Sequence, residues 1–564
     1  MKIKRFKILS PFRGLPKDYE IKFKDKITGS SSMINPICFV GLNGTGKSNV
    51  LEVIAEIFYY LETYHRADIN ELNQFQTDFG FEIEYQLSKS VIDRGRVLWD
   101  TLNENWNITW GDPIIKIEKK LKGLPEISAV FDGREIKLEN SDGNRNISIL
   151  PPNIVAYSSG MNELLSNPFI KIDFLYYDDL RSKKENSPES SLDMNRLFFL
   201  NYDSYKFMTL CNFLFDANDF DMSEYEEGTQ AADFGGINLG VLKSELEIEN
   251  IHSFKISLKL KKGINEKSYL VSELNTNLED LKKCATFFDE RSSQTKNEER
   301  LEIELFFWVN NATKEAFRHY FKTPNLLFRS FYFFQLLNID LIRSATRKAV
   351  SFAQAGTFEN LSDEIPKHES ASLLFRIYDI EFKKSNGAKV NYRKLSDGEH
   401  QLLQILGSFL LLDASGSLFL LDEPETHFNP DWRSKLVKLI NDSVGNDRGQ
   451  EVILTTHSPY IVSDCKKENV FIFKRDEKGR VCIPTNPQIN TFGSSISILS
   501  DEVFGKEDTI SELSKKKISE IENMPLNSAE EIQAAKEASR ELGESVEKVL
   551  LFKKLIMKEK NLGS

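Results

Sequence analysis

The sequence predicts an α/β fold: a mostly parallel sheet flanked by helices, with a large mixed α+β insertion lobe and a helical C-terminal tail. Three observations predict it. The apolar runs Ile37–Val40, Leu418–Leu421 and Val452–Leu454 are short and end abruptly in polar residues, as buried parallel strands do. A helical pattern follows the first run at Val50, Leu51, Ile54, Ile57, Phe58 and Leu61, and a helix around Trp432–Asn441 fits between the second and third. The interval 49–395 has strand-like and helical stretches but no repeat, which suits a separate compact lobe.

With 564 residues the chain exceeds one compact core. Its 40% hydrophobic and 28% charged residues are ordinary for a globular protein. The longest apolar stretch, Leu402–Leu412, stops at Asp413 and belongs to a soluble core, so no membrane span is expected. The opening MKIKRFKILSPFRG has no apolar segment or cleavage site of a secretion signal. Five scattered cysteines without a C-x-x-C pair fit a reducing cytoplasm and argue against zinc. A net charge of −12 weakens any general attraction to nucleic acid but leaves room for local basic patches.

Residues 41–48, GLNGTGKS, fit G-x-x-x-x-G-K-[ST] at every position, between an apolar strand and an amphipathic helix. Glycines let the backbone curl so that the N–H groups of Asn43, Gly44, Thr45 and Gly46 turn inward toward phosphate oxygens. Lys47 would reach the β- and γ-phosphates and Ser48 would hold Mg²⁺, with Asn49 in the first helical turn. The cofactors expected are therefore ATP and Mg²⁺.

Downstream, Leu418–Leu421 ends in Asp422-Glu423. A carboxylate at that strand end can hold Mg²⁺, assigned to Asp422, and Glu423 can polarise the attacking water. Leu395-Ser396-Asp397-Gly398-Glu399 precedes a helix that buries Leu402, Leu403, Leu406, Phe409 and Leu410; Ser396 or Asp397 would cap it. Its serine, glycine and helix N-terminus together can form an anion receptor. The third strand ends in Thr455-Thr456-His457-Ser458, and a βαβ crossover sets it parallel beside the second. His457 could then reach a γ-phosphate or the attacking water.

In the insertion, FEIEYQL, FKISLKLKK and RLEIELFFWV read as strands, with Lys255, Lys259 and Lys261 on one strand face. Loops are expected near 182–192 and 288–299. NVFIFKRDEKGRVCIPT reads as a charged hairpin, and Ser528–Lys558 as one capped helix. The expected divisions are 1–170 for the first lobe with the phosphate loop, 171–374 for the insertion, 375–475 for the second half of the head, and 476–564 for the hairpin and tail.

The order of phosphate loop, long insertion, LSDGE, LLDEPE and TTHS resembles the ABC-type ATPases, and among them the SMC- and RecF-like group. The resemblance covers roughly residues 1–65 and 375–475. It implies an ABC-type P-loop NTPase head, working as a homodimer or higher oligomer that sandwiches two ATP molecules. Lys47, Ser48, Asp422, Glu423 and His457 would act in cis, and Ser396 and Gly398 in trans. Arg13, in KILSPFRG, would lie near the nucleotide, and Asn429, Pro430 and Asp431 near the partner copy. Asp397 stands where the common signature has glycine. No glutamine follows the strand 153–163, so that loop of the family is unassigned. Coiled-coil heptads of the SMC kind are absent from the interval.

YSSGMNELLSNPF and TFGSSISILSDEVFG further resemble the ATPases of Septu-type antiphage systems, which also occur beside retrons. That resemblance implies a defence ATPase controlling a separate HNH-type nuclease, with a retron reverse transcriptase and its RNA–DNA hybrid as further partners. The carboxylates after His457 cluster in turns and charged helices, so no nuclease activity of the chain itself is expected. The rival readings are a RecF-like DNA-repair ATPase and the ATPase subunit of a transporter.

Overall fold

The computed structural model describes residues 1–24, 33–66, 79–88, 112–131, 133–138, 149–160, 163–186, 192, 195–220, 235–263, 268–351, 353, 360–412, 414–444, 449–506 and 510–562. Its centre is a six-stranded parallel sheet in the order Val470–Phe473, Ile37–Gly41, Glu451–Thr456, Leu418–Asp422, Ile154–Ser158, Leu197–Phe199. All three apolar runs lie in it as neighbours and are buried throughout. The register sets Asp422 opposite Thr455 on one side and Ser158 on the other, so the polar ends converge on one edge. Ligands of open α/β sheets bind at that carboxyl edge.

The helix Lys47–Arg66 buries Val50, Leu51, Ile54, Ile57, Phe58 and Leu61. Its polar Glu52, Glu56 and Glu62 are buried too. Lys171 on the helix Asn167–Asn186 holds Glu56 at 2.8 Å, and Tyr176 donates its hydroxyl to Glu62 at 2.9 Å. The boundary expected at residue 171 thus falls within a helix clamped to the head.

Two antiparallel sheets are interleaved with this centre in sequence. One has the order Glu20–Lys22, Lys2–Ile8, Phe81–Gln86, Ile114–Lys119, Glu126–Phe131, Arg134–Lys137. The other runs Phe287–Gln294, Glu298–Trp308, Ile248–Gly263, Phe375–Lys384, Lys389–Asn391. Phe375–Lys384 pairs antiparallel with Ile248–Gly263, so the sheet of the insertion extends past residue 374.

Three local expectations need correction. Residues 288–299, expected as a loop, lie mostly in the paired strands Phe287–Gln294 and Glu298–Trp308. Of the loop expected at 182–192, residues 182–186 end the helix Asn167–Asn186, whereas 187–191 lie outside the described residues. The tail is not one helix: Ala529–Ala538 and Val546–Leu562 are separate and fold back to share a small core with Ala535, Leu551 and Leu555. Among the described residues no helix is long and apolar enough to cross a membrane.

Candidate nucleotide-binding site

The phosphate loop is shaped by its glycines. Gly41 has φ +144°, and a Cβ there would stand 2.3 Å from the carbonyl oxygen of Phe473 on the adjacent strand. Only glycine fits that approach. Lys47 is buried, and its ammonium donates to the carbonyls of Gly41 at 2.9 Å and Leu42 at 3.1 Å. Burial lowers its pKa, opposed by the nearby Glu423 and Asp422. Thr45 closes the turn by donating to Leu42 O at 2.7 Å, and Asn43 is exposed at the loop tip. Asn49 donates to the carbonyl of Arg13, whose guanidinium lies 2.7 Å from the buried Glu52. Arg13 therefore braces the first turns of the helix behind the loop.

Ser48 donates to Asp422 Oδ1 at 2.9 Å, across 374 positions of sequence. Thr455 donates to the same oxygen at 2.6 Å. Burial raises the pKa of Asp422 against these two donors. The Thr455 hydroxyl also accepts the Glu423 N–H at 3.0 Å, so one side chain ties both carboxylate positions to the histidine strand. Glu423 sits at φ +50°, a left-handed conformation uncommon for a non-glycine residue. Its Oε1 lies 3.3 Å from His457 Nε2, and that hydrogen bond is the main reason its pKa is lowered. The donor set suits Mg²⁺, which takes few protein oxygens and completes its shell with phosphate and water. A hydroxyl and one carboxylate, Ser48 and Asp422, already face each other here.

The signature segment is a capped helix end. Ser396 is the N-cap of Asp397–Leu411 and forms a reciprocal capping box with Glu399. Asp397, the other cap candidate, is instead the first helical residue and is exposed. Gly398 is buried, and a Cβ there would come within 2.9 Å of the carbonyl oxygen of His427. Beside it is an open cleft of about 470 Å³ lined by Ser396, Gly398, His427, Asn429 and Trp432. The hydrogen bonds shown for Ser396 stay with Glu399 and that helix's backbone. Asn429 caps the following helix by accepting the Trp432 N–H at 2.8 Å, with Pro430 and Asp431 in its first turn.

Sequence reasoning missed several residues. Gln401, only 1% exposed, donates to Tyr157 Oη at 2.8 Å and accepts the His427 N–H at 3.0 Å. It thereby joins the signature helix to the strand Ile154–Ser158 and to the loop after Glu423. Arg475, read as part of a hairpin, reaches over the phosphate loop and donates through Nε to Gly44 O at 2.7 Å. Its neighbour Val470–Phe473 is a strand of the central sheet, and the expected hairpin closes beside it through the antiparallel pairs Ile472 with Thr485 and Arg475 with Val481.

Glu425 was also missed. It is buried, accepts the Thr456 hydroxyl, and burial pushes its pKa up from 4.5 to about 7. The folded chain thus keeps a proton there that the unfolded chain releases near 4.5. The stability this contributes is complete below that value and is lost as pH rises through about 7. The expected result is a wild-type unfolding free energy that falls by roughly 2–3 kcal/mol more than that of Glu425→Gln between pH 4.5 and 8. Denaturant titrations of both chains across that range check it; parallel curves would count against it.

A family model described as "AAA domain, putative AbiEii toxin, Type IV TA system" matches residues 259–463. That segment holds the signature, both carboxylates and His457; the sheet itself adds the phosphate loop. Protein ea59 of Escherichia phage lambda is 34% identical over 101 residues, 18% of this chain and 19% of that protein. The Septu protein PtuA of Bacillus thuringiensis is 26% identical over 161 residues, 26% of this chain and 39% of PtuA. The chain thus spans well under half the length of each of these relatives. Among solved structures, the SMC head domain of Thermotoga maritima is 9% identical with a TM-score of 0.30, covering 87% of this chain and 100% of that one. An Smc head with coiled coil and joint from Pyrococcus yayanosii is 14% identical with the same TM-score of 0.30, covering 86% and 97%. The segment 259–463 is thus similar to an AAA-type ATPase domain, and part of the chain is similar to PtuA.

Proposed function

We propose that this chain is the ATP-hydrolysing subunit of an antiphage defence complex and controls a separate HNH-type, PtuB-like nuclease. The observation that carries the ATPase reading is the contact of Ser48 with Asp422, joined through Thr455 to the Glu423–His457 pair. The local likeness to PtuA supports the defence role.

Each residue has a distinct task in this reading. The backbone of residues 43–46 and Lys47 grip the phosphates; a triphosphate would draw the Lys47 ammonium from two neutral carbonyls onto charged oxygens. Ser48 and Asp422 would hold Mg²⁺, and the chemistry it would supply there is neutralisation of triphosphate charge. Glu423 orients and polarises the attacking water. His457 fixes the Glu423 carboxylate and can donate to the γ-phosphate. Ser396 and Gly398 close the site of a second copy, and the cleft at the signature gives that copy's phosphates room to approach. In a retron setting the reverse transcriptase and its RNA–DNA hybrid would join the same assembly. The chain itself cuts nothing.

Co-expression with an HNH protein encoded beside it tests the reading. The expected result is co-purification, with nuclease activity that changes when ATP is supplied and does not change in a Lys47→Ala complex. An HNH protein that never associates, or whose activity ignores ATP, would overturn the control role while leaving the ATPase intact.

A further inference from the structure

We propose that a cleft in the insertion, separate from the ATP site, is a second ligand site that binds a nucleotide through its phosphate and its base. The cleft encloses about 340 Å³ between the end of the helix Asn167–Asn186, the end of the strand Ile248–Gly263 and the segment 269–274. That volume lies at the low end of the roughly 300–1,000 Å³ typical of small-ligand pockets.

Its charge is the first argument. Arg181, Lys184, Lys259, Lys261 and Lys262 line it against two carboxylates, Asp340 and Glu298, in a chain whose net charge is −12. Both carboxylates are engaged by cations: Asp340 by Lys261 at 2.7 Å and by Arg347, and Glu298 by Arg300 at 2.6 Å. Lys259, by contrast, donates to a neutral backbone carbonyl, that of Ala371. A phosphate offers that ammonium a charged acceptor, which makes a stronger bond.

Shape is the second. Leu260, Leu270, Val271 and Leu274 back the cleft as members of the core. Tyr269 stands partly exposed with its hydroxyl on Glu299 and the Lys262 ammonium, itself paired with Glu299, 4.9 Å from its ring centre. An anion without an aromatic face would make no use of the exposed part of that ring. A nucleobase can stack on tyrosine while its phosphate meets the lysines. One side of the cleft is also anchored. The helix carrying Arg181 and Lys184 is held by Lys171 on Glu56, by Tyr176 on Glu62, and by Asp173 accepting from Tyr332 at 2.6 Å. A preorganised site loses less freedom on binding. The same chemistry occurs in a free mononucleotide and at the 5′ end of a strand.

Calorimetric titration of the full chain carrying Lys47→Ala, which weakens the grip of the ATP site, tests this independently of the ATPase reading. The probes are thymidine 5′-monophosphate, a 5′-phosphorylated thymidine trinucleotide and inorganic phosphate. Saturable binding of at least one nucleotide is expected, weakened at least about tenfold by Lys184→Ala with Lys259→Ala. Tyr269→Ala should weaken the nucleotide and spare inorganic phosphate. Lys255→Ala, on the same strand but paired with Asp379 outside the cleft, should change nothing. Binding of the mononucleotide identifies a free ligand, and binding of the trinucleotide alone identifies a strand end. The proposal is overturned if neither nucleotide binds, if Lys255→Ala weakens binding as much as the double variant, or if inorganic phosphate binds as tightly as the nucleotides.

Discussion

Glu423→Gln is expected to slow ATP turnover by on the order of 10³-fold, within the span typical of losing a general base. The carboxylate is held below its usual pKa by the His457 hydrogen bond, with Lys47 acting in the same direction. It is therefore ionised at neutral pH and better suited to orienting and polarising water than to keeping its proton. The amide preserves size and the contact to His457 but lacks the charge. Nucleotide affinity should be retained, because neither the phosphate loop nor the Ser48–Asp422 contact is altered. ATP-bound dimers should accumulate, visible by light scattering, where the wild type cycles. Normal turnover in this variant would remove Glu423 from the water-activating role.

Ser396→Arg should give nearly the opposite phenotype: ATP binding close to wild type, but turnover reduced at least about 100-fold and no ATP-driven dimer. Ser396 is exposed, at the mouth of the cleft that Gly398 and His427 line. A long cation there obstructs the approach of a second copy. Loss of the capping box costs about 1 kcal/mol of stability, which a chain of this size tolerates. Equilibrium binding of a fluorescent ATP analogue, set beside steady-state turnover, separates the two effects. If binding fell in step with turnover, the signature would belong to the ATP site of its own chain.

These residues were legible because each strand that carries them announces itself locally. A short apolar run ending in GLNG, DE or TTHS states both a buried strand and the polar edge it delivers, and the crossover rule makes the last two neighbours. The register of Asp422 with Thr455 is what that rule leads one to expect. What could not be read locally depends on partners distant in sequence. Gln401 looks like a polar lapse in a core helix until Tyr157 and His427 flank it. Arg475 is one more charge in a hairpin until the sheet order sets its strand beside the phosphate loop. The strand Phe287–Gln294 was concealed for a different reason. It is exposed on both faces and shows no apolar alternation, so its conformation is set by pairing with Glu298–Trp308. In the tail, the break before Val546 follows from Leu551 and Leu555 turning back onto Ala535 and Ile521.

A mixing experiment reaches the centre of the account. Lys47→Ala has no working phosphate loop, and Ser396→Ala loses the signature hydroxyl without adding bulk at the cleft, so each chain alone should be nearly inactive. If each ATP is enclosed by the loop of one copy and the signature of another, a heterodimer of the two keeps one whole site. An equal mixture should then regain about a quarter of wild-type turnover, since half the dimers are mixed and each carries one of two sites. A mixture that stays inactive, beside wild-type turnover that remains constant per chain on dilution, would contradict the account.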